Sequence, residues 1–364
     1  MTCLKTPHGD VKLPAFFPDA TYGAIRAAGF EDVEDAGLQG VVMNTYHLFN
    51  RPGPKRVRAL GGLHRFTGFP HTILTDSGGF QLYSLIRENP AYGEIRDNEI
   101  VFRPDMGSEK LIFTPEKCIQ AQFQYGSDII MALDLCTHPE DSMETQRRSV
   151  ELTVKWAARC RAEFDKLASS RKNDDRPLLF GIVQGGADRA LRLECGERLR
   201  EIGFDGFGFG GWPLDSNGQF CPEILKDAAD AMDDALPKYA MGVGRPEEIV
   251  QCVAMGYTLF DCVIPTREAR HQRLYAFKKG MDTPEGVRVP DGKFYSFQYM
   301  LDDKHARDDG PIDEHCDCIL CRRYSRAYLH HLFKCGDPQA FRLATAHNLR
   351  FYGRLMELIQ NAQV

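Results

Sequence analysis

The sequence predicts an α/β fold, a (β/α)₈ TIM-type barrel with an appended C-terminal subdomain. Three observations predict it. Eight short apolar runs of strand character recur up to Val263, helical segments lie between many of them, and from about Arg273 the alternation stops. The runs are Ala15–Pro18, Gly40–Asn44, Thr72–Asp76, Asp128–Asp134, Leu178–Gln184, Gly206–Gly211, Tyr239–Val243 and Thr258–Val263. Continuous apolar strands separated by helices describe a parallel sheet covered on both faces. The helices are expected over Pro115–Tyr125, where Ile119 and Phe123 stand at i, i+4, and over Met143–Leu167, Ala187–Ile202, Pro222–Leu236 and Pro246–Met255. The last two begin with a proline, which the first turn tolerates because its N–H has no helical partner there. Eight units favour closure over an open sheet. The G-x-G-x-x-G turn that an open dinucleotide-binding sheet carries after its first strand is absent there. The expected division is a barrel with an N-terminal extension over 1–272 and a second unit over 273–364.

Bulk properties bound the function. The 364 residues exceed the roughly 250 that a barrel uses. No apolar run approaches the roughly 20 residues of a membrane span, and the N-terminal MTCLKTPHGD lacks an apolar signal core. A cytoplasmic location with no membrane partner is expected. In that setting the twelve cysteines are expected to be reduced thiols or metal ligands. A net charge of −6 excludes a globally basic nucleic-acid binder, so any such contact needs a local basic patch.

The chemistry of a barrel sits at the C-terminal tips of its strands. Here those tips carry Asn44, Asp76, Asp134, Gln184 and Asp261, with Gly210-Gly211 after the sixth run. Any one aspartate in such a place could simply cap the next helix. Converging on one mouth, they suit recognition of a polar heterocycle by amides and carboxylates. A pair of carboxylates also permits nucleophilic and acid/base work at a glycosidic carbon.

Near the C-terminus, Cys316, Cys318 and Cys321 form a C-x-C-x-x-C group, followed by His347. Three thiolates and an imidazole complete a tetrahedral Cys₃His zinc site with no open position, hence one structural zinc per chain. His330 and His331, on an expected helix over Ser325–Lys334, are the competing imidazoles. Basic residues cluster after the eighth run (Arg267, Arg270, Arg273, Lys278, Lys279) and after the cysteines (Arg322, Arg323, Arg326). They are either a solvated charged face or phosphate contacts beside the mouth.

Thr75-Asp76-Ser77-Gly78-Gly79-Phe80-Gln81 and Phe260-Asp261-Cys262-Val263-Ile264-Pro265-Thr266-Arg267 closely resemble motifs of tRNA-guanine transglycosylases of bacterial type. So do Asn44-Thr45-Tyr46-His47-Leu48, Met241-Gly242-Val243-Gly244, the Cys₃His group and His347-Asn348-Leu349. The resemblance runs in order from about Thr6 to Met356 and implies the same barrel with a zinc subdomain. It implies Asp261 as the nucleophile on the ribose anomeric carbon and Asp76 as the general acid/base. Asp134, Gln184 and the Gly211 backbone would read the base edge, with Phe80 and Met241 sandwiching it. Arg245, Arg267 and Arg270 would grip the tRNA anticodon loop. The implied partners are tRNA, a 7-deazaguanine base and a second copy of the chain in a homodimer.

This sequence departs from the family at Gly210-Gly211-Trp212-Pro213-Leu214-Asp215-Ser216, at Leu135 in place of an acidic residue, and at His271-Gln272. Pro213 has no N–H, so the peptide before it offers only a carbonyl to the incoming base. That favours 7-aminomethyl-7-deazaguanine as the base, with queuine second. Three other readings stay open: a non-catalytic RNA-binding subunit, a relative acting on DNA, and an archaeal-type enzyme acting on the D-arm. The last typically carries further C-terminal RNA-binding domains, whereas this chain ends at Val364.

Overall fold

In the computed structural model, described over residues 2–103, 110–172, 175–215, 218–288 and 293–362, eight parallel strands form one sheet. They are β1 (Ala15–Pro18), β2 (Gly40–Met43), β3 (Thr72–Thr75), β4 (Ile129–Met131), β5 (Leu178–Val183), β6 (Gly206–Phe209), β7 (Lys238–Ala240) and β8 (Leu259–Cys262). Each pairs with its sequence neighbour, and β8 pairs with β1 through Leu259–Ala15 to Cys262–Pro18. The ring closes between β1 and β2 by a parallel bridge, Asp19 to Val42, with Ala20 N–H donating to Val42 O at 2.7 Å. The expected (β/α)₈ barrel is the observed one.

Side chains alternate across each strand, and the alternation sorts the core. Ala15, Phe17, Val42, Leu74, Ile129, Met131, Phe180, Ile182, Tyr239 and Leu259 fill the barrel interior. A hairpin of Cys3–Thr6 and Gly9–Lys12 adds Leu4 and Val11 to this cluster from below. The intervening residues, such as Phe16, Val41, Ile73, Ile130, Phe207, Phe209 and Phe260, pack outward under the helices. Strand β6 shows the rule plainly. Its inward positions Gly206 and Gly208 leave room for Phe180 and for the sulfur of Met241, while its phenylalanines face out.

The helices match their periodicity except at the ends. Pro115–Tyr125 is as expected. The helix expected from Ala187 begins at Arg189, because the Asp188 side chain accepts from Leu191 N and so caps it. That expected to reach Leu236 ends at Ala231, and the following turn is held by Asp233 accepting from Ala235 N. Strand β4 is three residues, shorter than the run Asp128–Asp134. Beyond it, Leu133 N and Leu135 N donate to Cys160 Sγ and Thr153 Oγ1 on the helix Met143–Ala168 instead of to a strand.

After the barrel, β9 (Arg273–Phe277) and β10 (Tyr295–Tyr299) form an antiparallel hairpin. The last helix, Pro338–Asn361, is shared. Its first half places Leu343 and Ala344 in a core with Leu274, Met300, Leu320 and Leu329. Its second half puts Leu349, Phe351, Leu355 and Met356 against the outer barrel core. Asn348 fastens the crossing point, donating to Pro265 O and Arg273 O and accepting from Tyr275 N. No helix among the described residues is long and apolar enough to cross a membrane.

Candidate active site

The inward position above the apolar layer is occupied by a polar ring. Two residues beyond Val42, Leu74, Ile182, Tyr239 and Leu259 stand Asn44, Asp76, Gln184, Met241 and Asp261. By the same count Asp19 stands two beyond Phe17. Asn44, Asp76, Gln184 and Asp261 therefore meet at one mouth because each continues an inward-facing row, whereas Asp134 lies past the end of β4.

Asp261 Oδ1 accepts from Tyr239 Oη at 2.7 Å and from Gly242 N at 2.8 Å. Its Oδ2 has no hydrogen bond among the described residues. Burial pushes this carboxyl up to about 6, against the pull of the two donors, with the Asp19 charge adding to the rise. Asp76 Oδ1 accepts from Thr45 N at 2.8 Å and Gly78 N at 3.1 Å, and Oδ2 accepts from Asn44 Nδ2 at 2.6 Å. Asn44 is oriented for this because its Oδ1 accepts from His47 N at 3.0 Å. Burial pushes Asp76 up to about 7, with the charges of Asp261 and Asp19 adding to it. Burial thus raises both carboxyls above the usual carboxylate range, and the charge of Asp261 adds to the rise at Asp76.

Beside them Asp134 is buried, accepting from Ser77 Oγ at 3.1 Å and from Gln184 Nε2 at 2.6 Å, with burial raising its pKa. Gln184 is fully buried, and its Oε1 has no partner among the described residues, so one acceptor is left for a ligand. This packing requires glycine at position 210, where a Cβ would lie 2.5 Å from Gln184 Nε2. Gly211 has φ +104°, a conformation side chains resist. Below the Gly210 peptide lies Arg192, fully buried, donating to the carbonyls of Val183, Gly186 and Gly210. Burial lowers it to about 10.

Phe80 is exposed at the mouth and meets Trp212 edge-on at 5.6 Å between ring centres. Trp212 meets His138 on another side at 5.5 Å, and its Nε1 is buried with no partner among the described residues. Met241 lies half-buried with its sulfur against Gly208. Leu135, which departs from the family's acidic residue, is buried. Past Gly211 and Trp212 a side cavity of about 390 Å³ is lined by His138, Leu214, Asp215, Glu223 and Asp227 among others. Ser216 lies outside the described residues.

The basic residues divide. Arg245 and Arg267 are exposed, and Arg270 is half-buried with Nε donating to Thr266 O. Lys278, Lys279, Arg322 and Arg323 are exposed, while Arg273 pairs with Glu268 and Arg326 with Asp308.

Cys316, Cys318, Cys321 and His347 come together as a group able to hold a metal ion. Their sulfurs lie 3.7, 3.5 and 3.3 Å from His347 Nδ1. His347 Nε2 donates to Tyr275 O at 2.6 Å, which leaves the Nδ1 lone pair facing the thiols. His330 is instead committed to Met300 O at 2.7 Å, and His331 stands beside Cys335.

Several working residues escape a strand-tip reading of the sequence: Asp19, Tyr239, Thr45, Ser77, Gly242 and Arg192. Tyr239 and Asp19 carried a usable signal, being in register with inward-facing apolar residues. Arg192 carried none, since its partners are all backbone carbonyls.

A parallel barrel whose mouth holds two buried carboxyls of raised pKa, with amides beside them, has the make-up of a group-transfer enzyme of the α/β-barrel class. Comparison with known proteins narrows the class. The family described as Queuine tRNA-ribosyltransferase matches residues 1–362. Curated relatives with that name include one from Caldanaerobacter subterraneus subsp. tengcongensis, 40% identical over 359 residues, covering 99% of this chain and 88% of the relative. One from Syntrophobacter fumaroxidans is also 40% identical, with the same coverage, and one from Psychrobacter cryohalolentis is 39% identical over 98% of this chain and 87% of the relative. The chain belongs to the queuine tRNA-ribosyltransferase family, and is a glycosyltransferase of the pentosyl-transferring kind.

Proposed function

We propose that this chain exchanges the wobble guanine in the anticodon loop of tRNA for 7-aminomethyl-7-deazaguanine through a covalent aspartyl-ribose intermediate. What carries this is the placement of two carboxyls in one mouth, Asp261 held through Oδ1 by Tyr239 and Gly242 with Oδ2 unengaged, and Asp76 held by Asn44, Thr45 and Gly78. Asp261 Oδ2 attacks the ribose C1′ as the bond from C1′ to guanine breaks, and the departing purine takes its proton from Asp76. The incoming base gives a proton to the Asp76 carboxylate as it attacks C1′ and displaces Asp261. Two displacements at one carbon retain its configuration. Asp134, Gln184 and the Gly211 backbone read the base edge, Phe80 and Met241 enclose it, and Arg245, Arg267 and Arg270 engage the RNA phosphates.

The Cys₃His group fits zinc. Thiolate and imidazole ligands of a tetrahedral zinc ion lie about 3.6 Å apart, and the sulfur-to-Nδ1 distances here are 3.3 to 3.7 Å. Zinc there would join the segment after the barrel to the last helix, and elemental analysis giving one zinc per chain is the check. We further assign residues 1–272 to the barrel unit and 273–364 to the zinc unit, and propose a cytoplasmic homodimer.

The choice of base rests on Pro213. Its carbonyl accepts from Cys221 N at 3.0 Å and Leu214 bridges Phe220, which pins the loop. The Trp212 carbonyl has no intramolecular donor among the described residues, which suits a base with a donor on its 7-substituent. One observation favours queuine instead: the side cavity of about 390 Å³ beyond Trp212 has room for a ring substituent. Base exchange on unfractionated tRNA with the cyano, aminomethyl and queuine bases decides between them. No release of guanine with any base would overturn the reading.

A further inference from the structure

Strand β8, which carries Asp261, has two neighbours in the ring, β7 and β1. A ribose whose C1′ lies over Asp261 Oδ2 extends its C2′ toward the end of one of them. The end of β7 offers the Met241 thioether and the Gly242 N–H, and that N–H is already given to Asp261. The end of β1 offers Asp19. This carboxylate is half-buried, makes no ion pair among the described residues, and has Oδ1 fixed by the Thr21 hydroxyl at 2.5 Å. In an internal nucleotide of a polynucleotide the 3′ and 5′ oxygens are esterified. The 2′-hydroxyl is then the only free hydroxyl, and it is borne by the carbon next to the one attacked.

Resting on the transglycosylase reading, we propose that Asp19 accepts a hydrogen bond from the 2′-hydroxyl of the nucleotide undergoing exchange, and so selects ribo- over deoxyribonucleotides. Its place among the reacting groups has independent support. The Asp19 charge acts on Asp76 and Asp261 within the mouth, and on His47 and Arg270 at its edge, where Arg26 and Arg267 also face Arg270. A carboxyl acceptor there also lies beside the positive charge that grows on the ribose ring as the glycosidic bond lengthens.

The test uses two anticodon stem-loops that differ only in carrying guanosine or 2′-deoxyguanosine at the exchanged position. For each, kcat/KM of guanine release is measured with the wild-type chain, Asp19→Ala and Asp19→Asn. The ribo-to-deoxyribo ratio is taken within one preparation, so a change in folded fraction cancels. The intrinsic lability of the deoxyribosyl bond cancels between variants. The ratio is expected to fall about 10- to 100-fold from wild type to Asp19→Ala, the worth of a hydrogen bond to a charged group. Asp19→Asn, which keeps an acceptor oxygen, is expected to retain a larger ratio than Asp19→Ala. A ratio in Asp19→Ala within about threefold of wild type, the scale of a neutral change, overturns the inference alone. No guanine release by the wild-type chain from either stem-loop overturns the transglycosylase reading, and the inference with it.

Discussion

At the lower end of the barrel Asp128 meets two imidazoles and a backbone N–H; at the upper end Asp76 and Asp261 meet only neutral donors and other carboxylates. Asp128 is wholly out of water, with Oδ1 2.6 Å from His8 Nδ1 and Oδ2 3.1 Å from His64 Nε2 and 2.7 Å from Ile73 N. Burial would raise its pKa, but the hydrogen bonds from His64 and His8 win and hold it below the usual carboxylate range. The same residue type at the mouth is pushed up to about 6 and about 7. One end uses a buried carboxylate to fasten the N-terminal hairpin to the barrel, while the other leaves its carboxylates without a cationic partner, the pattern that perturbed functional carboxyls show. The lower group, His8, His64 and Asp128, also brings metal-ligand types together. There His64 Nε2 lies 3.0 Å from His71 O as well as 3.1 Å from Asp128 Oδ2. In the Cys₃His group the imidazole is anchored through its other nitrogen.

The sharpest break at the upper end is Asp261→Asn. The fold and much of the RNA affinity are expected to survive, while the covalent intermediate disappears and exchange falls by at least about 10⁴-fold. Denaturing gels of enzyme with labelled tRNA check it, and a wild-type yield of adduct from the variant would move the nucleophile to Asp76.

At the lower end Asp128→Asn is expected to cost about 3 kcal/mol, because two imidazoles and an N–H lose a buried anion. The pH dependence follows from the shifts. The lowered Asp128 contributes above its unfolded value and is lost as pH falls through the folded one. His8, raised by its hydrogen bond to Asp128, contributes below its unfolded value and is lost as pH rises through the folded one. The stability difference between wild type and variant is therefore largest between about pH 4 and pH 6.5. Urea midpoints across that range measure it, and a flat difference would separate the hairpin clasp from charge altogether.

The mouth carboxylates carry the opposite sign. Their raised values mean that the native state holds protons the unfolded chain releases, so stability they leave intact near pH 4 is lost as pH rises through about 6 and about 7. The proposed mechanism needs Asp261 ionised and Asp76 protonated, which would give a bell in kcat/KM with limbs near those values. Asp76→Asn is expected to remove the alkaline limb of whatever activity remains. A profile flat from pH 5 to pH 8 would contradict the division of roles between the two carboxyls.

How much of this was legible in sequence differs between the two ends for a physical reason. Strand positions follow from apolar runs, and the tips Asn44, Asp76, Gln184 and Asp261 follow from strand ends, because both are local properties of the chain. Asp134 was found too, although β4 stops at Met131 and its continuation is held by helix side chains. Asp19 and Tyr239 needed the register, which is set by pairing and not by composition. The clasp was out of reach: His8 and Asp128 are separated by 120 positions, and nothing local in either marks the other. The metal group stood out because three of its four members crowd into six residues, Cys316 to Cys321.

The smallest expected effect concerns the loop that borders the mouth. The chain at Pro213 cannot turn an N–H toward the incoming base, and its own carbonyl is already engaged by Cys221 N at 3.0 Å. On the proposed reading the Trp212 carbonyl is then the acceptor that the loop offers the base. A nitrile at the 7-position brings a second acceptor against it, and an aminomethyl group brings a donor. The unsatisfied pair costs about 1–3 kcal/mol, so the wild-type chain is expected to favour the aminomethyl over the cyano base by about tenfold or more. Pro213→Ala restores the N–H without forbidding the backbone angle proline adopts, and leaves the Cys221 hydrogen bond in place. It is expected to raise use of the cyano base relative to the aminomethyl base by up to about tenfold, with Asp76 and Asp261 undisturbed. Competition between the two bases for one tRNA pool reads the ratio directly. If the wild-type chain takes both bases equally well, the Trp212 carbonyl does not meet the substituent, and the side cavity past Trp212 becomes the feature that chooses the base.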